Sequence, residues 1–152
     1  NIAWPPPSDL WYYHGYYYDR HHDMQIVLQV GGHAFEMIEN SPEKLAQKVL
    51  EYKGLVDYIL LDPSGGFGKP FDPVEIRRYL QALKEKDLGM GLAVAGGLNP
   101  ITPPHLIGPL VVEFPDLSID AESGLHDPTT DCLDLNLATD YMRQSISIFA
   151  KI

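Results

Sequence analysis

The sequence predicts an α/β fold in which parallel strands alternate with helices, of the TIM-barrel type, with the content of half a barrel: four βα units. Three observations predict it. Four short apolar runs alternate with four amphipathic or helix-like segments, the pattern of βαβ units with right-handed crossovers. Each run ends in a loop containing glycine: Gly31-Gly32, Gly65-Gly66, Gly96-Gly97 and Ser123-Gly124. The chain has 152 residues, whereas a complete (β/α)8 barrel needs about 250. An open doubly wound sheet is the alternative arrangement of the same elements.

Two regions are expected, a Pro/Tyr-rich aromatic lead-in over residues 1–23 and a (β/α)4 half-barrel domain over 24–152. Pro5-Pro6-Pro7 favours an extended polyproline segment. The aromatic run from Trp11 to Tyr18 carries too much apolar surface for a free tail and is expected to be mostly buried over residues 10–18. His14, His21 and His22 lack the spacing of a metal site, and no metal is expected.

The first strand is expected over residues 24–30. Ser41-Pro42 opens a helix, with serine as N-cap and proline at the first position, and the helix runs to about Lys53 with Leu45 and Val49 inward. The second strand, residues 57–62, is a continuous apolar run ending at Asp62, as a strand buried on both faces should be. Asp72-Pro73 opens the next helix, whose apolar side is Val74, Ile76, Leu80 and Leu83 and whose stop is Gly89. Residues 91–95 form the third strand. Pro103 to Ile107 begins a short helix or turn. Residues 117–121 form the fourth strand, and Asp134 caps a last helix over 135–150.

The formal net charge is −10. An acidic chain repels nucleic acid unless it segregates a basic patch, and Arg77, Arg78, Lys84 and Lys86 are interleaved with Glu75, Glu85 and Asp87. No nucleic-acid and no membrane partner is expected. One cysteine, Cys132, excludes an internal disulfide and fits a reducing, cytoplasmic setting.

Chemistry in parallel α/β sheets sits at the carboxyl ends of strands, which singles out Asp62. The glycines that follow it let backbone N–H groups approach a ligand. Gly96, Gly97, Ser123 and Gly124 stand in the last two loops, where barrels often hold a phosphate. The plain alternative is that these glycines serve only tight turns. Asp62, Asp120 and Glu122 could instead gather a divalent cation.

Three motifs carry a family resemblance. Leu60-Leu61-Asp62 followed by Gly65-Gly66-Phe67-Gly68-Lys69-Pro70-Phe71-Asp72 resembles the LLD…GGxGKxFDW segment of phosphoribosylanthranilate isomerases. Ala93-Val94-Ala95-Gly96-Gly97-Leu98 resembles their LAGGL, and Ser118-Ile119-Asp120-Ala121-Glu122-Ser123-Gly124-Leu125 their VDVSSGVE. All three belong to the C-terminal half of that barrel and cover roughly residues 55–130. The resemblance implies an isomerase of unassigned specificity acting on a phosphorylated sugar by an Amadori-type aldose–ketose rearrangement, without a cofactor. It implies that Asp62 is the catalytic acid, that Asp120 helps hold the substrate, and that Gly65, Gly66, Gly68, Lys69, Gly96, Gly97, Ser123 and Gly124 contact the ligand or its phosphate. The family's base, a cysteine in a KxCG motif on the first barrel strand, has no counterpart here, and Pro73 replaces the motif's tryptophan. The expected partners are a phosphorylated small molecule or anion, and either a second copy of the chain or an N-terminal half. The alternative is a catalytically silent half-barrel that binds a ligand or partner and completes its sheet by oligomerisation.

Overall fold

The computed structural model describes residues 3–18, 25–65 and 67–151, with side chains left undescribed at 13–18. Four strands, β1 (Val27–Gly31), β2 (Tyr58–Asp62), β3 (Gly91–Ala95) and β4 (Ser118–Asp120), form one sheet in the order β1-β2-β3-β4. Every neighbouring pair is parallel. β2, β3 and β4 lie within the expected runs, and β1 ends at Gly31, one residue past its expected run. β1 starts at Val27, with Gln25 and Ile26 outside the ladder, and Met24 lies outside the described residues. A doubly wound sheet would reverse direction partway; this order never does, so right-handed crossovers put their helices on one face. The architecture is α/β, consistent with half of a (β/α)8 barrel.

The helices begin where capping chemistry places them. α1 is Pro7–Tyr18, α2 Gly32–Met37, α3 Pro42–Val49 and α4 Pro73–Lys84. α5 is Pro103–Leu106, α6 Gly108–Val111 and α7 Leu135–Phe149. Ser41 Oγ accepts from the Lys44 N–H at 3.2 Å, Asp72 Oδ1 from Val74 at 2.8 Å, and Asp134 Oδ1 from Asn136 at 2.7 Å. Each cap satisfies an N–H that the helix itself cannot. α3 is continued by a 3-10 turn, Leu50–Tyr52, which brings it near its expected end.

Two expectations about the lead-in are corrected. The prolines do not extend a polyproline segment into the aromatic run: Pro7 opens α1, where its missing N–H costs nothing. Trp11 and Tyr12 are each 70% exposed, so this part of the aromatic run is not buried. Leu10 is partly buried against the core. The side chains of Tyr13 to Tyr18, His14 among them, and all of His21 and His22 lie outside what is described. The segment is anchored just before α1, where Tyr52 Oη donates to the Pro5 carbonyl at 2.8 Å and the Trp4 ring lies 6.0 Å from that of Tyr52.

Alternation along the strands separates two faces. Leu28, Val30, Ile59, Leu61 and Val94 join Leu45, Val49, Ile76, Leu80 and Ile107 in the main core. The opposite face has its own small cluster, Leu60, Ala93 and Ala95. On that face Val27, Gln29, Ser118 and Asp120 are exposed. The register stacks it in rows: Val27–Tyr58–Gly91, then Gln29–Leu60–Ala93–Ser118, with Asp62 and Asp120 at the carboxyl ends. The Tyr58 ring lies over Gly91, where any Cβ would overlap it. Among the described residues no helix is long and apolar enough to cross a membrane.

In α7, Tyr141 is buried, and among the described residues no partner completes a hydrogen bond with its hydroxyl. Ser145 Oγ lies near it but donates to the Tyr141 carbonyl at 2.8 Å. Burial, with the Asp120 charge adding to it, pushes this phenol up to about 12 from an ordinary 10.0. A raised phenol means that the unfolded chain releases its proton first as pH climbs. The stability contributed by neutral Tyr141 should be complete below about pH 10 and lost as pH rises through about 12. Urea denaturation between pH 9 and pH 12 should show this alkaline loss, and Tyr141→Phe should reduce it. An identical alkaline profile in that variant would refute the assignment.

Candidate functional site

The site forms where the carboxyl ends of β2, β3 and β4 meet. Strand β2 delivers Asp62, which is only 3% exposed. A buried carboxyl must be hydrogen-bonded. Gln29 Nε2 donates to Asp62 Oδ2 at 3.0 Å, reaching up from the row below on β1. Ser64 Oγ donates to Asp62 Oδ1 at 2.6 Å, from the turn that follows the strand. That turn is closed by the Gly65 N–H on the Asp62 carbonyl at 2.9 Å. Both carboxyl oxygens therefore accept, and they are held from two directions.

Asp62 opens onto a cleft of about 100 Å³. Gly96, Gly97, Asp120, Glu122 and Ser123 line it together with Asp62. The small side chain of Ala95, between the two aspartate strands, leaves this space open. Gly96 lies against Asp62: a Cβ built on it would be 3.4 Å from Asp62 Oδ1. The charged side chains lining the cleft are all acidic, Asp62, Asp120 and Glu122. Among the described residues no three His, Cys, Asp or Glu side chains are placed to hold a metal ion, so the cation alternative gains no support.

The expected ligand contacts divide. Gly68, Gly96, Gly97 and Ser123 line the cleft with both aspartates. Gly65 does not: its N–H is engaged in the turn, and it faces a neighbouring cavity shared with Gly31 and Phe67. Lys69 is exposed and outside the cleft lining. Gly124 also lies outside the lining, and a Cβ there would overlap the Leu98 carbonyl. Gly97 has φ 64°, and its missing side chain is where the Pro70 backbone packs. At 97 and 124 the glycine permits loop-on-loop contact. Gly66 lies outside the described residues.

Sequence reasoning missed Gln29 and did not give Ser64 a role. A glutamine in phase with Val27 and Gly31, on the face opposite Leu28 and Val30, was the available signal for the first. Ser64 is two residues beyond a strand-end aspartate, within reach of it through a tight turn.

A larger cavity, about 470 Å³, lies at the opposite ends of β2 and β3. Its carboxylate, Asp57, accepts from the Ile26 N–H at 2.7 Å, tying the entry to β1 onto β2. That is an architectural role. No protein-family model matches the chain, and no curated protein or solved structure with significant similarity to it is found.

Proposed function

We propose that the chain is the C-terminal half of a phosphoribosylanthranilate isomerase-like (β/α) barrel of the cytoplasm, binding a phosphorylated sugar-type ligand and isomerising it from aldose to ketose. The observation that carries this reading is Asp62. It is a buried carboxylate at a parallel strand end, with each oxygen fixed by a donor and a cleft in front of it. Gln29 can only donate through its amide nitrogen, and Ser64 is placed to donate as well, so the pair serves a proton-accepting carboxylate. In this reading Asp62 is the proton-transfer group at C2, taken as the base that removes the C2 proton, while the motif resemblance implies the acid role for the same residue. Asp120, across the cleft, orients sugar hydroxyls by accepting from them.

The phosphate is assigned to the rim formed by Gly97 and Ser123. The 3-10 turn Ser123–Leu125 uses the N–H groups of Leu125 and His126 in its own bonds, and the N–H groups at its start take no part in them. Glu122 opposes the phosphate there by like charge. Glu122→Gln should therefore tighten inorganic phosphate about threefold, the scale of one partly screened charge. Amide NMR titration with inorganic phosphate and ribose 5-phosphate reads this directly. No movement of the Gly97 and Ser123 signals with either ligand would sink the phosphate seat.

A second reading has its own observation. Val27 is 52% exposed on the sheet face opposite the main core, beside exposed Gln29, and among the described residues the outer edges of β1 and β4 have no strand paired to them. Such edges invite pairing with another chain. A catalytically silent half-barrel completed by a second copy would use them. Native mass measurement separates the two: a stable dimer with no phosphosugar binding favours the silent module.

A further inference from the structure

Helix α7 leaves an apolar stripe exposed. Tyr141, Ser145 and Ile148 are buried, and the helix packs against α5, α6 and the 3-10 turn Ser123–Leu125. About a quarter turn around the helix from this buried side run Leu135, Thr139, Met142 and Ile146, ending at Phe149. Leu135, Met142 and Ile146 are each more than half exposed, Thr139 is exposed, and Phe149 is partly buried. Single apolar residues on a surface need no explanation, but these form one continuous seam about 21 Å long.

The steps along the seam are four, three, four and three residues. That is heptad spacing, which keeps a seam facing a second helix. The stripe also reads alike from both ends, since Leu135 and Phe149 each stand seven residues from Met142. In an antiparallel pair of α7 helices with a two-fold axis at Met142, Leu135 meets Phe149 of the second copy. Ile146 meets the small Ala138 of the second copy, so a large side chain faces a small one twice.

Charge favours the same occupant. The charged residues of α7 are Asp140 and Arg143, paired with each other at 3.3 Å. The helix therefore brings no net charge to a chain of formal net charge −10, and two copies approach here without the repulsion of their acidic remainder. In the antiparallel register Arg143 also comes level with Asp140 of the second copy along one rim of the seam, a charge-complementary arrangement.

We propose that this stripe is the contact between two copies of the chain, an isologous antiparallel α7 pair centred on Met142. The proposal goes beyond the function assigned to the cleft and does not depend on it. It also differs from completion of the sheet, which would join the unlike edges of β1 and β4. One helix face is a small interface, so the dimer should be weak, with a dissociation constant of about 10–100 μM.

Sedimentation velocity across that concentration range should show a reversible monomer–dimer equilibrium. Met142→Glu places two carboxylates on the axis and should weaken the dimer about 30-fold or more. The side chain is exposed in the monomer, so the variant should melt as the wild type does. Val27→Lys, on β1, should leave the dimer unchanged. In a Cys132→Ser background, Met142→Cys should form a disulfide-linked dimer on air oxidation, because a residue on the axis meets its own copy. Ser147→Cys, on the outer side of α7, should not. A chain that stays monomeric at the highest concentration overturns the proposal, as does a dimer that Met142→Glu leaves intact. Cross-linking no better at Met142→Cys than at Ser147→Cys overturns it too. A dimer lost in Val27→Lys but kept in Met142→Glu moves the contact to the sheet edge and refutes the α7 pair.

Discussion

Asp62→Asn should abolish C2 proton exchange, by about a thousandfold or more, and leave the fold in place. The amide matches the carboxylate in size but cannot accept a proton. Its hydrogen bonds can be kept: the amide oxygen faces Gln29 Nε2, and the amide nitrogen faces Ser64 Oγ, which turns from donor to acceptor. The stability cost is then about 1 kcal/mol, a few degrees in Tm. Asp62→Ala is the harsher change, since it strands two donors beside a hole, and it would confuse folding with chemistry. NMR exchange and thermal melting on Asp62→Asn check both halves of the expectation. Wild-type exchange in a folded Asp62→Asn chain would remove Asp62 from the mechanism.

Gly97→Val is expected to cost a large share of the chain's stability. Gly97 has φ 64°, a conformation that disfavours any side chain and most of all a β-branched one. A Cβ there would also overlap the Pro70 backbone, which cannot swing aside as a side chain tip could. Left-handed strain of about 1–2 kcal/mol and overpacking of about 1–3 kcal/mol act together. Their sum is a large share of the 5–15 kcal/mol that typically holds a domain together. Gly108→Ala is the matched control, because a Cβ there meets nothing within 4 Å. Urea denaturation should separate the two variants clearly. A Gly97→Val chain as stable as wild type would mean that the two loops are not packed as described.

The backbone plan was legible because it is written in local chemistry. Ser41, Asp72 and Asp134 each announce a helix by a side chain that must accept an N–H, and each does so. The continuous apolar run into Asp62 marks a strand buried on both faces, and Tyr58–Asp62 is that strand. α2 gave no comparable sign, since it is six residues long and Gly31 offers no capping side chain. The aromatic lead-in misled because aromatic content argues for contact area without saying that Trp11 and Tyr12 turn outward.

Asp62 and Asp120 could be placed by their position at strand ends, and both line the cleft. The hydrogen bond from Gln29 to Asp62 depends on the register between β1 and β2, which no local pattern specifies. The glycines show the same limit. A sequence records that Gly97 and Gly124 lack a side chain, but not that Pro70 and the Leu98 carbonyl occupy the space.

The order β1-β2-β3-β4 also has a kinetic meaning. Each strand pairs with its neighbour in sequence, so every loop that must close is one βα unit long, and contact order stays low for a parallel sheet. Assembly can proceed by accretion, one unit templating the next, without a long search between distant segments. The groups of the site then arrive at different times. Gln29, Asp62 and Ser64 come together as soon as β1 and β2 pair, so the carboxylate is already oriented while the rest of the sheet is forming. Asp120 rides on β4, the shortest strand, at three residues, and its docking onto β3 closes the far wall last. On this order the Asp62 carboxylate would be oriented early and enclosed late.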